Sequence, residues 1–455
     1  MRQGVQSVEL RRAALGTVIG LPGNAAAYDL TGTSSDSTFI KDGSNRISLV
    51  ADRSGNSAVN SLILNGAVGN YASTPDSAAI SVTGDIDLRW YGALEDWTPA
   101  AENFLISKAA GAGARSFFLE ILNTTGKPNL AWTADGTTYI QKAATVAPTV
   151  SDGALLWIRA TLDVDNGAAG NDVIFYTSTD GSNWTQLGTT VTTAGTTSVF
   201  DSTTQVEIGS LTSGSLPVTG KIYRAQIYNG IAGTLVLDAN FTLPAKLVAS
   251  FTESSSNAAT VTINTTGDLG ARISGARDLV QLTAANQPIY SVGADGKAIA
   301  TFDGTNDYLK AAPFSLSQPE SVYFVGSQVT WTNGEWVMDG NTDVSMFLQQ
   351  DGTTPRVAFN AGSAITNVDW AVGVCAVIAI VVNGANSSLG VNRNAPTTGN
   401  VGAANAGGFT VAKAGASGGS NANITFSEAL LRSVADDAAT RARIVNYEMR
   451  KWGIT

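Results

Sequence analysis

Short alternating runs of polar and apolar residues set the character of this chain. Residues 85–91 (DIDLRWY) alternate strictly, as a half-buried strand requires. Apolar or alternating runs recur at 80–83, 104–106, 117–122, 129–132, 155–164, 172–176, 206–208 and 221–228. Tight polar turns separate them, including Asp165-Asn166-Gly167 and Asp180-Gly181-Ser182-Asn183. Strands broken by turn signals every eight to twelve residues or so indicate a β-sandwich or barrel.

The same order of elements then recurs. Segment 302–309 (FDGTNDYL) repeats a worn copy at 64–72 (LNGAVGNYA). Downstream of it, 322–325 matches the strand at Ile86, and 335–338 matches 104–106. The runs 345–348 and 356–359 match the hairpin at Phe117 and its return at 130–132. Residues 371–382 match 155–162, 409–411 match 206–208, and 424–431 match 222–228. Six elements in one order predict two tandem domains, 46–273 and 274–455, with 246–273 supplying a last strand and connector. Residues 1–45 read as an N-terminal arm or anchor, with one short helix over 7–15.

One longer helix is predicted at the C-terminus, over 436–452. Ser433 and Asp436 serve as its cap box, Arg450 and Lys451 suit its C-terminal end, and Gly453 stops it. Ala438, Ala442, Val445, Met449 and Trp452 share one face, which reads as packing.

Composition narrows the chemistry. The 455 residues include 48 glycines but no histidine, which removes Ser-His-Asp and Cys-His machinery, histidine metal sites and histidine pH switches. The single cysteine, Cys375, excludes an intramolecular disulfide and reads as part of a buried central strand. A net charge of −10 disfavours nucleic acid and anionic membranes. The apolar run 371–382 is too short to span a bilayer, and the N-terminal run behind Arg11 and Arg12 is broken by Gly16, Gly20 and Pro22, unlike a cleaved leader.

Several of these pieces resemble the concanavalin A-like, laminin-G-type jelly rolls of tailed-phage virion proteins. They are Asp52-Arg-Ser-Gly-Asn56, the 302–309 motif, the 178–184 hairpin, Asn286-Gln287-Pro288-Ile289-Tyr290, and the closing helix through Trp452. The resemblance implies an all-β fold of two tandem antiparallel jelly-roll sandwiches, with an N-terminal arm and a short C-terminal helix. It also implies a structural protein on the virion exterior, as a capsid decoration or tail-associated appendage, with other virion proteins or further copies of itself as partners. A glycan-binding adhesin or receptor-binding tail protein, which would take a host surface glycan, is the alternative.

An enzyme is not expected. Glycoside hydrolases of this fold place Glu-x-Asp-x-x-Glu on one strand; here Asp85 and Asp87 share a face, no Glu follows at that spacing, and both read as solvent-facing positions on an edge strand. No cofactor is expected beyond calcium. For that ion the oxygen-bearing candidates are Asp163, Asp165, Asn166 and Asp172, and separately Asp303, Asn306 and Asp307; all also suit plain turns. For sugar stacking the candidates are Trp184, Trp331 and Trp336, with core packing as the competing role.

Overall fold

The computed structural model describes residues 24–30, 39–54, 59–293, 295–341, 346–415 and 420–455. The helix expected at 7–15 lies outside these residues. The chain forms two compact units, each with its own apolar core: Asn60–Ser274, and Met1–Val59 together with Gly275–Thr455. The expected boundary at 45/46 thus differs from the boundary between Val59 and Asn60.

The Asn60–Ser274 unit is a sandwich of two antiparallel sheets, of nine and eight strands. The centre of the first runs Gly170–Ser178, Leu156–Asp163, Ile86–Leu94, Thr219–Asn229 and Asn60–Asn65, in that order. The second runs Pro128–Trp132, Arg115–Ile121, Asn103–Ala109, Val206–Ile208, Tyr71–Thr74 and Thr260–Asn264. Period-two alternation sends Ile86, Leu88, Trp90, Ile158, Ala160 and Ile227 inward, where all are buried.

The other unit repeats this order strand for strand. Its first sheet runs Ser387–Val391, Ala376–Val382, Glu320–Gln328, Ile424–Arg432 and Ala298–Thr301. Its second runs Val357–Asn360, Phe347–Gln350, Trp336–Asp339, Thr410–Val411 and Leu309–Lys310. The strand correspondences expected from the internal repeat therefore hold. The all-β class of tandem antiparallel sandwiches is the fold of this chain.

The N-terminal segment departs from an arm. In the 60–274 unit, Thr219–Asn229 is flanked by Thr234–Asn240, the next strand in the chain. In the other unit the chain after Arg432 turns into a helix and leaves the equivalent flank open. Asn24–Asp29 fills it, pairing antiparallel with Ile424–Arg432 at Tyr28↔Ala429 and Asp29↔Glu428. Phe39–Lys41 and Ile47–Val50 join the opposite sheet through Leu279–Val280. An unpaired strand flank is costly for its backbone groups, and Asn24–Asp29 supplies the missing partner.

The C-terminal helix spans Ala438–Trp452. Asp437, not Asp436, is its N-cap, with a carboxylate oxygen 2.6 Å from the Thr440 N–H. Asp436 instead accepts from Arg432 at 2.8 Å and from the Tyr323 hydroxyl at 2.8 Å. Gly453 closes the helix with a φ of 68°, a left-handed conformation that suits glycine. The buried face runs through Ile444, Val445, Glu448, Met449 and Trp452, while Ala438 and Ala442 are exposed. Cys375 precedes the Ala376–Val382 strand and is half-buried, and burial pushes its thiol up to about 11.

One core position breaks the apolar pattern. Glu320 opens its strand on the face of Val322 and Phe324, fully buried. Neither carboxyl oxygen has a hydrogen-bond partner among the described residues, and burial pushes the pKa up to about 8. A carboxyl raised in the folded state binds more protons folded than unfolded, so stability falls as pH rises from about 4.5 to 8. Glu320→Gln removes that part of the slope. The variant is expected to gain on the order of 2–4 kcal/mol over the native chain at pH 8 relative to pH 5, read by urea unfolding at both pH values.

Candidate functional site

The outward face of the Ile86–Leu94 sheet carries an unusual set of side chains. Alternation points Asp87, Arg89 and Tyr91 away from the core, and register lines them up with their neighbours. One row is Arg159, Arg89, Gln226 and Asp238; the next is Trp157, Tyr91, Arg224 and Asn240.

Asp87 anchors the face. It accepts from Nε and Nη2 of Arg89 at 3.1 and 2.8 Å and from the same atoms of Arg159 at 3.0 and 2.8 Å. The Ala232 N–H adds a fifth bond at 3.1 Å. Burial alone would push its carboxyl up, but the hydrogen bonds and charges of the two arginines outweigh it and hold the pKa below the ordinary carboxylate value. The expectation of a solvent-facing carboxylate on an edge strand is therefore corrected. The strand lies between Leu156–Asp163 and Thr219–Asn229, and Asp87 is fully buried. Alternation chose the right face but could not show what covers it.

The cover is the hairpin at 178–184. The Trp184 ring lies 5.5 Å from both the Arg89 and the Arg159 guanidinium carbons, a cation–π contact on each. Tyr228 and Tyr176 take the other contacts, at 4.1 and 4.9 Å. Gly181 presses on Trp157: a Cβ there would meet the indole at 2.8 Å, and its φ is 73°. Asp180 fixes the turn by accepting from the Ser182 and Asn183 N–H groups, each at 2.8 Å. Those bonds, Asn183 first, lower its pKa.

Beside this clamp lies an open cleft of about 340 Å³, lined by Tyr91, Trp157, Thr179, Asp180, Tyr223, Arg224, Asn240 and Thr242. Its floor is aromatic. Tyr91 stacks on Trp157 at 4.8 Å and 12°, Tyr223 sits 5.5 Å from Tyr91, and Trp184 meets Trp157 edge-on at 6.0 Å. The rings brace one another. Burial raises the pKa of both Tyr91 and Tyr223, so each hydroxyl stays protonated. On the wall, Arg224 gives Nε and Nη2 to the buried Asp238 at 2.6 and 2.7 Å. Asn240 accepts from the Thr242 N–H and hydroxyl through Oδ1, at 3.1 and 2.7 Å. Among the described residues, Arg224 Nη1 and Asn240 Nδ2 remain uncommitted.

The equivalent face of the other unit is filled. Ile444, Val445, Met449 and Trp452 of the helix pack on Tyr323, Val325, Val377, Ala379 and Leu430. Lys451 donates to Glu428 at 2.5 Å, and the Trp452 indole donates to the same oxygen at 2.7 Å. Burial, with Glu428 beside it, pushes the Glu448 carboxyl well up.

The candidates singled out from sequence divide. Trp184 is at the site, as part of the clamp and not as an open stacking surface. Trp331 and Trp336 lie in the other unit. Trp331 donates to the Arg356 carbonyl at 3.0 Å, and Trp336 packs on Phe347 at 4.2 Å. Asp163 and Asp172 face each other across a strand pair, with Asn166 donating to Asp172 at 3.1 Å. Asp163 and Asp165 each accept from a backbone N–H two residues on. Asp303 accepts from the Thr305 and Asn306 N–H groups, and buried Asp307 accepts from Asp303 N–H at 3.1 Å. Both sets support their own turns. Among the described residues, no three acidic or cysteine side chains come together as a cation site. Tyr91, Trp157, Tyr223, Arg224 and Asn240 were not singled out. Four of them are aromatic or charged residues at outward positions of adjacent strands, while Asn240 carries no such signal.

No protein-family model matches the chain, and no curated protein matches it. Among solved structures it is similar to mouse laminin alpha1 domains LG4-5, at 10% identity and a TM-score of 0.31, covering 83% of this chain and 91% of that one. A putative carbohydrate-binding protein from Bacteroides ovatus is 11% identical with a TM-score of 0.34, covering 48% of this chain and 60% of that one. A SAP-like pentraxin from Limulus polyphemus is 11% identical with a TM-score of 0.27, covering 38% and 77%. Likenesses this distant do not bear on what this chain binds. By its own strand order and packing, the chain is a pair of antiparallel β-sandwiches, one with its outward face filled by a helix and the other with a polar, aromatic cleft left open.

Proposed function

We propose that the protein is a glycan-binding protein without catalytic activity, and that the cleft of the 60–274 unit holds the saccharide. The observation that carries this reading is the braced floor of Tyr91, Trp157 and Tyr223 beside uncommitted polar groups on a rigid strand pair. Sugar-sized sites combine apolar ring surface with a few well-placed polar groups. Hydrolysis fits poorly. A glycosidase needs one carboxyl kept protonated beside one left free, whereas Asp180 is held ionised by its turn and Asp87 is neutralised by two arginines.

Tyr223→Ala is expected to weaken binding at least tenfold on a glycan array or by calorimetry, with the chain still unfolding cooperatively. The affinity of the native protein is expected to stay flat from pH 5 to 9. The tyrosine hydroxyls are raised, Asp180 is lowered, and no histidine is present. A chain that retains no glycan would refute the reading.

A second reading, display on a phage particle, follows from the sequence motifs. It predicts that the protein co-purifies with intact particles. The attachment arm it invoked has lost residues 24–29 and 39–41 to the sandwich.

A further inference from the structure

We infer that the cleft selects a neutral saccharide bearing an N-acetyl group, whose carbonyl oxygen accepts from Arg224 Nη1 and Asn240 Nδ2. The inference rests on reading the cleft as a saccharide site. It is carried by the two donors that Arg224 and Asn240 direct from one ladder position.

Arg224 and Asn240 are direct cross-strand partners, so their side chains emerge together from one ladder position. Each is already fixed at one end. The Arg224 fork is docked on Asp238, which Gln226 also contacts at 3.2 Å. The Asn240 carbonyl is taken by Thr242, which also sets which amide atom points where. The groups these two residues have left over, Arg224 Nη1 and Asn240 Nδ2, are donors. The carboxylate at the rim is largely taken: Asp180 Oδ1 accepts from the Ser178 hydroxyl and two backbone N–H groups, and Oδ2 from the Asn183 amide.

A sugar hydroxyl brings a proton of its own to a position where Arg224 and Asn240 offer two donors side by side, so a plain hexose only partly satisfies that pair. An amide carbonyl has two lone pairs and no proton, and takes both donors at once. Charge decides against a carboxylate or sulfate. Asp238 already neutralises Arg224, and ionised Asp180 adds a negative charge at the rim. The ring edges of Tyr91, Trp157 and Tyr223 supply apolar surface for the acetyl methyl.

The test uses the full chain on an array of matched glycans that differ only in a 2-acetamido or 2-hydroxyl group, together with acidic glycans. Acetamido members are expected to bind at least tenfold tighter than their hydroxyl partners, and acidic glycans to be rejected. Asn240→Asp, which replaces the donor with a carboxylate, should erase that preference, with the unfolding midpoint as a check on folding. If hydroxyl partners bind equally, or acidic glycans bind better, and Tyr223→Ala abolishes that binding, the N-acetyl inference falls while the saccharide site stands. If no glycan is retained, both fall.

Discussion

A chain lacking residues 1–30 is expected to lose cooperative folding of its Gly275–Thr455 portion while the 60–274 sandwich keeps its unfolding midpoint. The deleted strand buries Ala25, Ala26, Ala27, Tyr28 and Leu30 in or against that unit's core. It also supplies every backbone partner along the 428–432 flank on that side. A milder version isolates one side chain. Tyr28 is 1% exposed, stacks on Phe409 at 5.7 Å and donates to the Arg277 carbonyl at 2.7 Å. Tyr28→Ala should cost about 3–5 kcal/mol, the range for a large buried aromatic. Urea unfolding reports it as a selective fall in one of two transitions. Equal transitions in the truncated and intact chains would mean that residues 24–29 are an appendage after all.

That strand also marks a limit of sequence reading. The six repeated elements were legible because β-sandwich strands carry their own signal: alternation, β-branched residues and glycine turns. NAAAYD carries almost none of it, and its partner lies about 400 positions away. Only the other repeat, in which a strand follows 219–229 directly, could have hinted that the copy ending at 432 lacked one. The helix was legible from Gly453 at its end and from the spacing of Val445, Met449 and Trp452, which are buried, whereas its N-cap lies one residue beyond Asp436. Glu448 is buried on that face too, and Lys451 is half-buried beside it, paired with Glu428 and Asp29; nothing in the local sequence marks these contacts.

The second large effect belongs to Asp87. Its replacement by Asn removes the charge that neutralises Arg89 and Arg159, which are only 13% and 12% exposed. Breaking a buried charge cluster by removing one partner typically costs about 3–5 kcal/mol, and the 60–274 transition is expected to fall by that order. The loss should reach the cleft as well. Without fixed arginines the Trp184 hairpin loses its two cation–π contacts, so hydrogen exchange at 178–184 should rise and glycan affinity should drop.

The pH dependence has a definite sign. The folded Asp87 carboxyl is depressed, so its contribution is full above its unfolded value near 4 and is lost as pH falls through the folded value. The gap between native and Asp87→Asn chains should therefore shrink in acid. This slope is opposite to that of Glu320 in the other unit.

The site itself was half legible. Trp184 was singled out as a stacking surface, and Asp87 as an exposed polar position. The structure gives both residues other roles: the tryptophan braces two arginines, and the aspartate holds those arginines in place. Tyr91, Trp157, Tyr223, Arg224 and Asn240 come from four strands and become one cleft only through register. No local motif carries that.

The most direct test of the central claim is a crystal structure of the full chain grown with the best-retained oligosaccharide from the array. The account predicts density for the sugar in the cleft, against Tyr91, Tyr223, Arg224 and Asn240 of the 60–274 unit. Sugar bound elsewhere with this cleft empty, or no sugar retained at saturating concentration, would contradict it.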